Sequence, residues 1–185
     1  MTKITSLALV TLISALALAA PPDKAGQPPP SDPALKADIK AAGELTWSGD
    51  LASALKLAAD KKQPIFIDFT GVTCTNCKIN EKNVFARPEV KDLLGKYVRV
   101  QLYADTVPAE FYKNDPGEEK RDKDAEVNLE FMRKQFDKEQ LPLYVIVRPA
   151  EQNSFTTVGV YDEGRINKVD AFIAFLKKPL ANGRE

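Results

Sequence analysis

The chain has 185 residues, of which 44% are apolar and 28% charged, a balance that suits a folded globular domain and excludes a disordered one. Lys plus Arg and Asp plus Glu each number 26, so net charge offers no attraction for nucleic acid or an anionic membrane surface. Histidine is absent, which excludes a Ser-His-Asp triad, a Cys-His nucleophile pair and a His-ligated metal site. Cysteine occurs only at Cys74 and Cys77, so any thiol chemistry runs through that pair.

Residues 1–19 read as a signal peptide. Lys3 precedes an uncharged stretch rich in Leu, Ala, Val and Ile, and Ala17 and Ala19 are small residues suited to cleavage after Ala19. The expected location is therefore periplasmic or secreted. An uncleaved N-terminal anchor is the alternative, but the stretch is short for a span, and no other segment reaches the roughly 18 apolar residues a bilayer requires. Residues 20–44 carry six of the 13 prolines and read as a solvated linker. The folded domain is expected over residues 45–185.

Asp50 is placed as N-cap of a helix whose apolar face is Leu51, Ala54, Leu55 and Ala58. Pro64 ends that element. Ile65 to Thr70 is a nearly continuous apolar run, as a central strand requires. After Gly71-Val72-Thr73, a helix is expected from about Cys74 to Asn83, and a second opens at Pro88. Tyr97 to Tyr103 alternates, with Val98, Val100 and Leu102 on one face and Arg99, Gln101 and Tyr103 on the other. The strand–helix–strand order makes these two strands parallel.

Residues 105–140 form a charged insertion. Glu118 to Asp124 reads as a solvated charge run, and Ala125, Leu129, Met132 and Phe136 mark an amphipathic helix expected to cap the sheet, the alternative being that it shapes the substrate surface. Leu143 to Val147 is the next strand, joined through Glu151-Gln152-Asn153 to a strand over Phe155–Tyr161. A last helix is capped by Asn167 and buries Val169, Phe172, Ile173 and Leu176. The fold class is α/β, a mixed sheet of four to five strands flanked by helices.

Cys74-Thr75-Asn76-Cys77 falls where the central strand feeds a helix. Thiolates, not thiols, attack disulfides, and the unpaired N–H groups and dipole of a helix start stabilise the anion. The three-residue spacing puts both sulfurs on one face, with the first exposed and attacking and the second deeper and resolving. A structural disulfide closing so small a loop adds little stability, and two thiolates without further ligands are half a zinc site. Asp68, six residues before Cys74 in an apolar strand, is costly to ionise and suited to exchanging a proton with Cys77, unless it faces water. Glu81, one turn beyond Cys77, is either an exposed helix charge or a second proton carrier. Pro142 opens a strand, where proline is tolerated and the preceding bond can be cis.

This order resembles the thioredoxin fold over roughly residues 45–178. The stretches from Pro64 to Lys78, Glu81-Lys82-Asn83-Val84-Phe85, Pro88-Glu89-Val90 and Gln140 to Val145 look like the C-terminal thioredoxin-like domain of DsbD-type thiol:disulfide interchange proteins. The resemblance implies Cys74 as nucleophile, Cys77 as resolving thiol, Asp68 and Glu81 as tuning carboxylates, and a cis Pro142 packed against the pair. Thr73 and Leu141 would then contact substrate. It implies an exported protein-disulfide reductase or interchange enzyme, probed by protein or peptide disulfides, with no cofactor. DsbD-type proteins carry a membrane electron relay that this chain lacks, so a separate membrane or envelope protein would donate electrons. A monomer without nucleic-acid partners is expected. The alternative is a thioredoxin-like binding module that uses the same thiols for metal delivery or chaperone-type binding.

Overall fold

The computed structural model describes residues 25–36, 39–40 and 45–181; the expected signal peptide lies outside them. The elements are β1 (Ile39–Lys40), β2 (Thr46–Trp47), α1 (Leu51–Lys61), β3 (Ile65–Thr70), α2 (Thr75–Asn80), a π turn (Glu81–Phe85), α3 (Pro88–Leu94), β4 (Val98–Tyr103), α4 (Glu118–Phe136), β5 (Leu143–Pro149), β6 (Phe155–Tyr161) and α5 (Val169–Ala181). The main sheet has the order β4-β3-β5-β6. β3 and β4 are parallel, and β5 runs antiparallel to both β3 and β6. This is the mixed α/β sheet that the strand patterns predict.

β3 is buried along its whole length, because both faces of the sheet are covered. Ile65, Ile67 and Phe69 face one core with Leu51 and Leu55 of α1, Val100 and Leu102 of β4, and Phe131 and Met132 of α4. Phe66 faces the other, among Trp47, Phe85, Tyr97, Tyr144 and Phe172, with ring centroids 5.7–6.4 Å away. Each such buried side chain contributes about 1.5–3 kcal/mol by leaving water. Asp50 caps α1 as expected, its Oδ1 accepting from the Ala52 N–H at 3.1 Å. Pro88 occupies the first turn of α3.

Two helix boundaries are corrected. The helix after the cysteines is regular only to Asn80 and then widens into the π turn, which lets the consecutive Val84 and Phe85 both enter the aromatic core. The charge run 118–124 stays largely exposed, as expected, and forms the start of α4. Glu118 and Glu119 suit a helix N-terminus, and Lys120 pairs with Asp124 one turn on. The last helix starts after Lys168, whose carbonyl accepts from Ala171 and Phe172. Asn167 does not cap it, because Ile166 donates its N–H to Asn80 and the chain stays non-helical until Val169.

Within the expected linker, residues 25–36 lie against the domain. Gly26 bridges to Phe155 at the start of β6, and Leu35 to Tyr112 in the insertion. Ser31 donates to Asp50 at 2.5 Å, and Asp32 pairs with Lys120 at 2.6 Å. Leu35 and Ala34 also cover a small third core of Val107, Phe111, Tyr112 and Ala125. Burying these apolar groups and pairing the backbone gives a proline-rich segment a reason to order. Among the described residues, no helix is long and apolar enough to cross a membrane.

Asn80 ties α2 to the far side of the fold. It is fully buried, donates to the Tyr144 hydroxyl and the Gly164 carbonyl at 2.9 Å each, and accepts from the Ile166 N–H at 3.0 Å. Asn80→Ala leaves three hydrogen-bond partners without it, two of them on buried residues, and is expected to cost about 2–4 kcal/mol in urea unfolding. A loss as small as that of the exposed Asn83→Ala would contradict this.

Candidate active site

Cys74 and Cys77 are joined in a disulfide across a Cα–Cα distance of 5.3 Å. Cys74 is the residue before α2, and its Sγ accepts from the Cys77 N–H at 3.2 Å. It is partly exposed, whereas Cys77 is buried. The polarity is thus that of an accessible sulfur at a helix start with its partner beneath. A turn closed by the Cys74 N–H to the Gly71 carbonyl, at 3.1 Å, brings the chain from β3 to this position.

One transverse row of the sheet lies under this helix. Asp68 is in register with Gln101 of β4 and with Tyr144 of β5, and Tyr144 with Tyr161 of β6. Asp68 is 1% exposed, so it does not face water. Gln101 donates through Nε2 to Asp68 Oδ2 at 3.1 Å and to Glu81 Oε1 at 3.2 Å. One amide therefore links the two carboxylates named from the sequence, one on the sheet and one at the end of α2. Asp68 Oδ1 is buried and has no hydrogen-bond partner.

This geometry sets the protonation states. Burial pushes the Asp68 carboxyl well above its ordinary range, the Glu81 charge adds to the rise, and the Gln101 hydrogen bond opposes it. Glu81 is also raised, by burial, with Thr70 and the charge of Lys78 acting the other way. Tyr144 is raised by burial and by Asp68, against the hydrogen bond from Asn80. A carboxyl whose proton affinity is raised, beside a helix carrying a buried sulfur, is suited to accept a proton as carboxylate and return it during disulfide exchange.

The remaining predicted residues meet around Gly71. A Cβ there would lie 2.8 Å from Asp105 Oδ2 and 3.1 Å from Leu141 Cδ1, so the loop before Cys74 is packed between β4's end and the proline loop. The Leu141–Pro142 bond is cis. Thr73 is exposed, but its N–H and hydroxyl both donate to Asp105, at 2.8 and 2.9 Å. Sequence reasoning missed Gln101, Asp105, Asn80 and Tyr144. For Gln101 the signal was a polar residue on the same face of β4 as Arg99 and Tyr103, which pairing with β3 places beside Asp68.

The insertion does more than cap the sheet. α4 contributes Phe131 and Met132 to the core, while Thr106 to Glu110 and Arg121 wall a cleft of about 470 Å³ whose opposite side is Thr70, Gly71, Val72, Lys78, Glu81 and Tyr103. Among the described residues, no cluster of His, Cys, Asp and Glu is suited to holding a metal ion.

A mixed sheet ordered β4-β3-β5-β6, with a Cys-x-x-Cys pair between β3 and α2 and a proline loop ahead of β5, defines a thioredoxin-like fold. A family model described as thioredoxin-like matches residues 46–149, more than half of the chain. The chain belongs to this thioredoxin-like family. Among solved structures, a thioredoxin from Thermus thermophilus is 19% identical with a TM-score of 0.51, over 71% of this chain and 85% of that one. A DsbH oxidoreductase is 23% identical with a TM-score of 0.45, over 80% and 91%. A Trichomonas vaginalis thioredoxin is 12% identical with a TM-score of 0.40, over 67% and 88%. No curated protein matches the chain.

A carboxyl with a higher pKa folded than unfolded binds more protons in the native state, so stability falls as pH rises above the unfolded value. Asp68→Asn removes that penalty. It is expected to raise the melting temperature at pH 7, by about 2–4 °C per kcal/mol recovered. The gain should fade as pH falls toward the ordinary Asp value of 3.8. A melting temperature at pH 7 that is unchanged or lowered would contradict the raised proton affinity of Asp68.

Proposed function

We propose that the protein is a thiol:disulfide oxidoreductase acting on protein or peptide disulfides, with Cys74 as nucleophile and Cys77 as resolving thiol. The observation that carries this reading is the Cys74–Cys77 disulfide at a strand-to-helix junction, its outer sulfur partly exposed and its inner one buried. In the reduced enzyme, the Cys74 thiolate attacks one sulfur of the substrate disulfide. A Cys74–substrate bond forms, the substrate S–S bond breaks, and the first substrate thiolate leaves and takes up a proton. Cys77 then gives its proton to Asp68 in its carboxylate form, whose raised proton affinity makes it a better base than an exposed carboxylate, and the Cys77 thiolate attacks Cys74 Sγ. The internal disulfide closes as the Cys74–substrate bond breaks, and the second substrate sulfur departs as a thiolate that takes the proton back from Asp68. Two electrons and two protons pass to the substrate, and a dithiol protein reverses the process to recharge the pair. Thr73 and Leu141, with Pro142, flank the substrate segment.

The direction we assign is reduction or interchange. A strong oxidant stabilises its reduced, thiolate form. Here Thr75 and Asn76 bring no positive charge, and a carboxylate at Glu81, one turn beyond Cys77, disfavours a thiolate. The resemblance to DsbD-type proteins supports the same direction. The leader-like residues 1–19 support export to the periplasm or beyond, with a separate envelope protein as electron donor.

Insulin reduction tests the reading. Wild type with dithiothreitol is expected to precipitate insulin well ahead of dithiothreitol alone, and Cys74→Ser to fall to that background. Cys77→Ala should accumulate a dithiothreitol-reversible adduct through Cys74. Equal rates for wild type and Cys74→Ser would overturn the enzyme reading, and metal analysis of the reduced protein would then examine the binding-module alternative.

A further inference from the structure

We propose that Asp105 is a positioning residue for the nucleophile: its carboxylate clamps the loop that delivers Cys74 to the start of α2. The inference rests on the oxidoreductase reading above and adds a residue to it. Asp105 lies two positions beyond the end of β4 and is the first residue of the insertion. It accepts from the Val72 N–H at 2.9 Å, the Thr73 N–H at 2.8 Å, the Thr73 hydroxyl at 2.9 Å and the Thr106 N–H at 2.7 Å. Three of those four donors belong to the two residues immediately before Cys74.

Among the described residues, no other group outside the loop accepts a hydrogen bond from these donors. The turn's own restraint is the single Cys74 N–H to Gly71 carbonyl bond. The contact is also sterically committed, since the Asp105 carboxylate occupies the space that a Gly71 side chain would need. The hydrogen bonds outweigh the effect of burial and hold the carboxyl below its usual range, so the clamp is charged throughout the neutral range. Hydrogen bonds to an ionised acceptor are roughly twice as strong as neutral ones, and errors near 1 Å in reacting geometry cost up to about 100-fold in rate. The same carboxylate joins the redox loop to Thr106, so the wall of the adjoining cleft and the nucleophile's loop are tied at one point.

Two consequences of a carboxylate here oppose each other, and this makes the test decisive. Its negative charge disfavours the Cys74 thiolate, whereas its clamp holds Cys74 Sγ where the helix start stabilises that thiolate. Charge alone predicts that any neutral substitution speeds attack by Cys74. Positioning predicts that loss of all acceptors slows it.

The experiment is alkylation of Cys74 by iodoacetamide in reduced Cys77→Ala protein at pH 7, alone and with Asp105→Ala, Asp105→Asn or Thr73→Val, alongside thermal unfolding and insulin reduction by the matching variants with Cys77 intact. Asp105→Ala is expected to slow alkylation about tenfold. Asp105→Asn, which keeps one acceptor oxygen and loses the charge, should stay within about threefold of the parent. Alkylation by Asp105→Ala as fast as the parent or faster would overturn the proposal, as would a slowing that Asp105→Asn shows equally. If Asp105→Ala does not fold, Thr73→Val decides: removing the one hydroxyl donor should slow alkylation about threefold, and an unchanged rate overturns the clamp. Failure of wild type to reduce insulin would instead overturn the oxidoreductase reading and leave the alkylation comparison intact.

Discussion

A carboxyl group shut away from water in the central strand is the constraint around which the site is built. Asp68 shares its strand with Phe66, Ile67 and Phe69, each fully buried, and a lone ionised carboxylate there is too costly to persist. The fold meets that cost in two ways. It supplies one hydrogen-bond donor, Gln101, and lets the group hold its proton. The cost of burial, normally a defect, becomes a reservoir for one proton next to a helix that carries a buried sulfur. In the proposed chemistry, the absence of histidine leaves proton transfer to Asp68, Glu81 or water.

Gln101 makes the two carboxylates a unit. A cation at that position would pair with Asp68 and favour its ionised form. A neutral amide donates to both oxygens and leaves the balance between protonated and ionised carboxyls to burial. Asn80 plays the complementary part on the other side of the row. Its three hydrogen bonds fix α2 to β5 and to the loop before α5, so the helix that bears Cys77 cannot drift from the sheet that bears Asp68.

Local pattern made much of this legible. The alternation in β4, the capping Asp50, the turn at residues 151–153 and the position of Cys74 at a helix start all follow from short-range physics and recur in the structure. Asp68 and Glu81 could be named because each lies within one turn or one strand length of the cysteines. Gln101 could not, since its role depends on the parallel register of β3 and β4. Asp105 is 32 residues from Thr73, and only the packing of β4's end against the redox loop joins them. The segment 25–36 looked like solvated linker because proline-rich composition describes what a chain can bury by itself, not what an existing surface offers it. The insertion, in turn, is held to the domain by that segment and by the small core around Phe111 and Tyr112.

The most direct test of the buried, protonated Asp68 is a carbon-13 NMR titration of the Asp68 and Glu81 carboxyls in the oxidised protein. Asp68 is predicted to remain protonated well above the pH at which exposed carboxylates ionise, and Gln101→Leu to move its midpoint higher still as the opposing hydrogen bond is lost. A midpoint for Asp68 in the ordinary carboxylate range, insensitive to Gln101→Leu, would contradict the account.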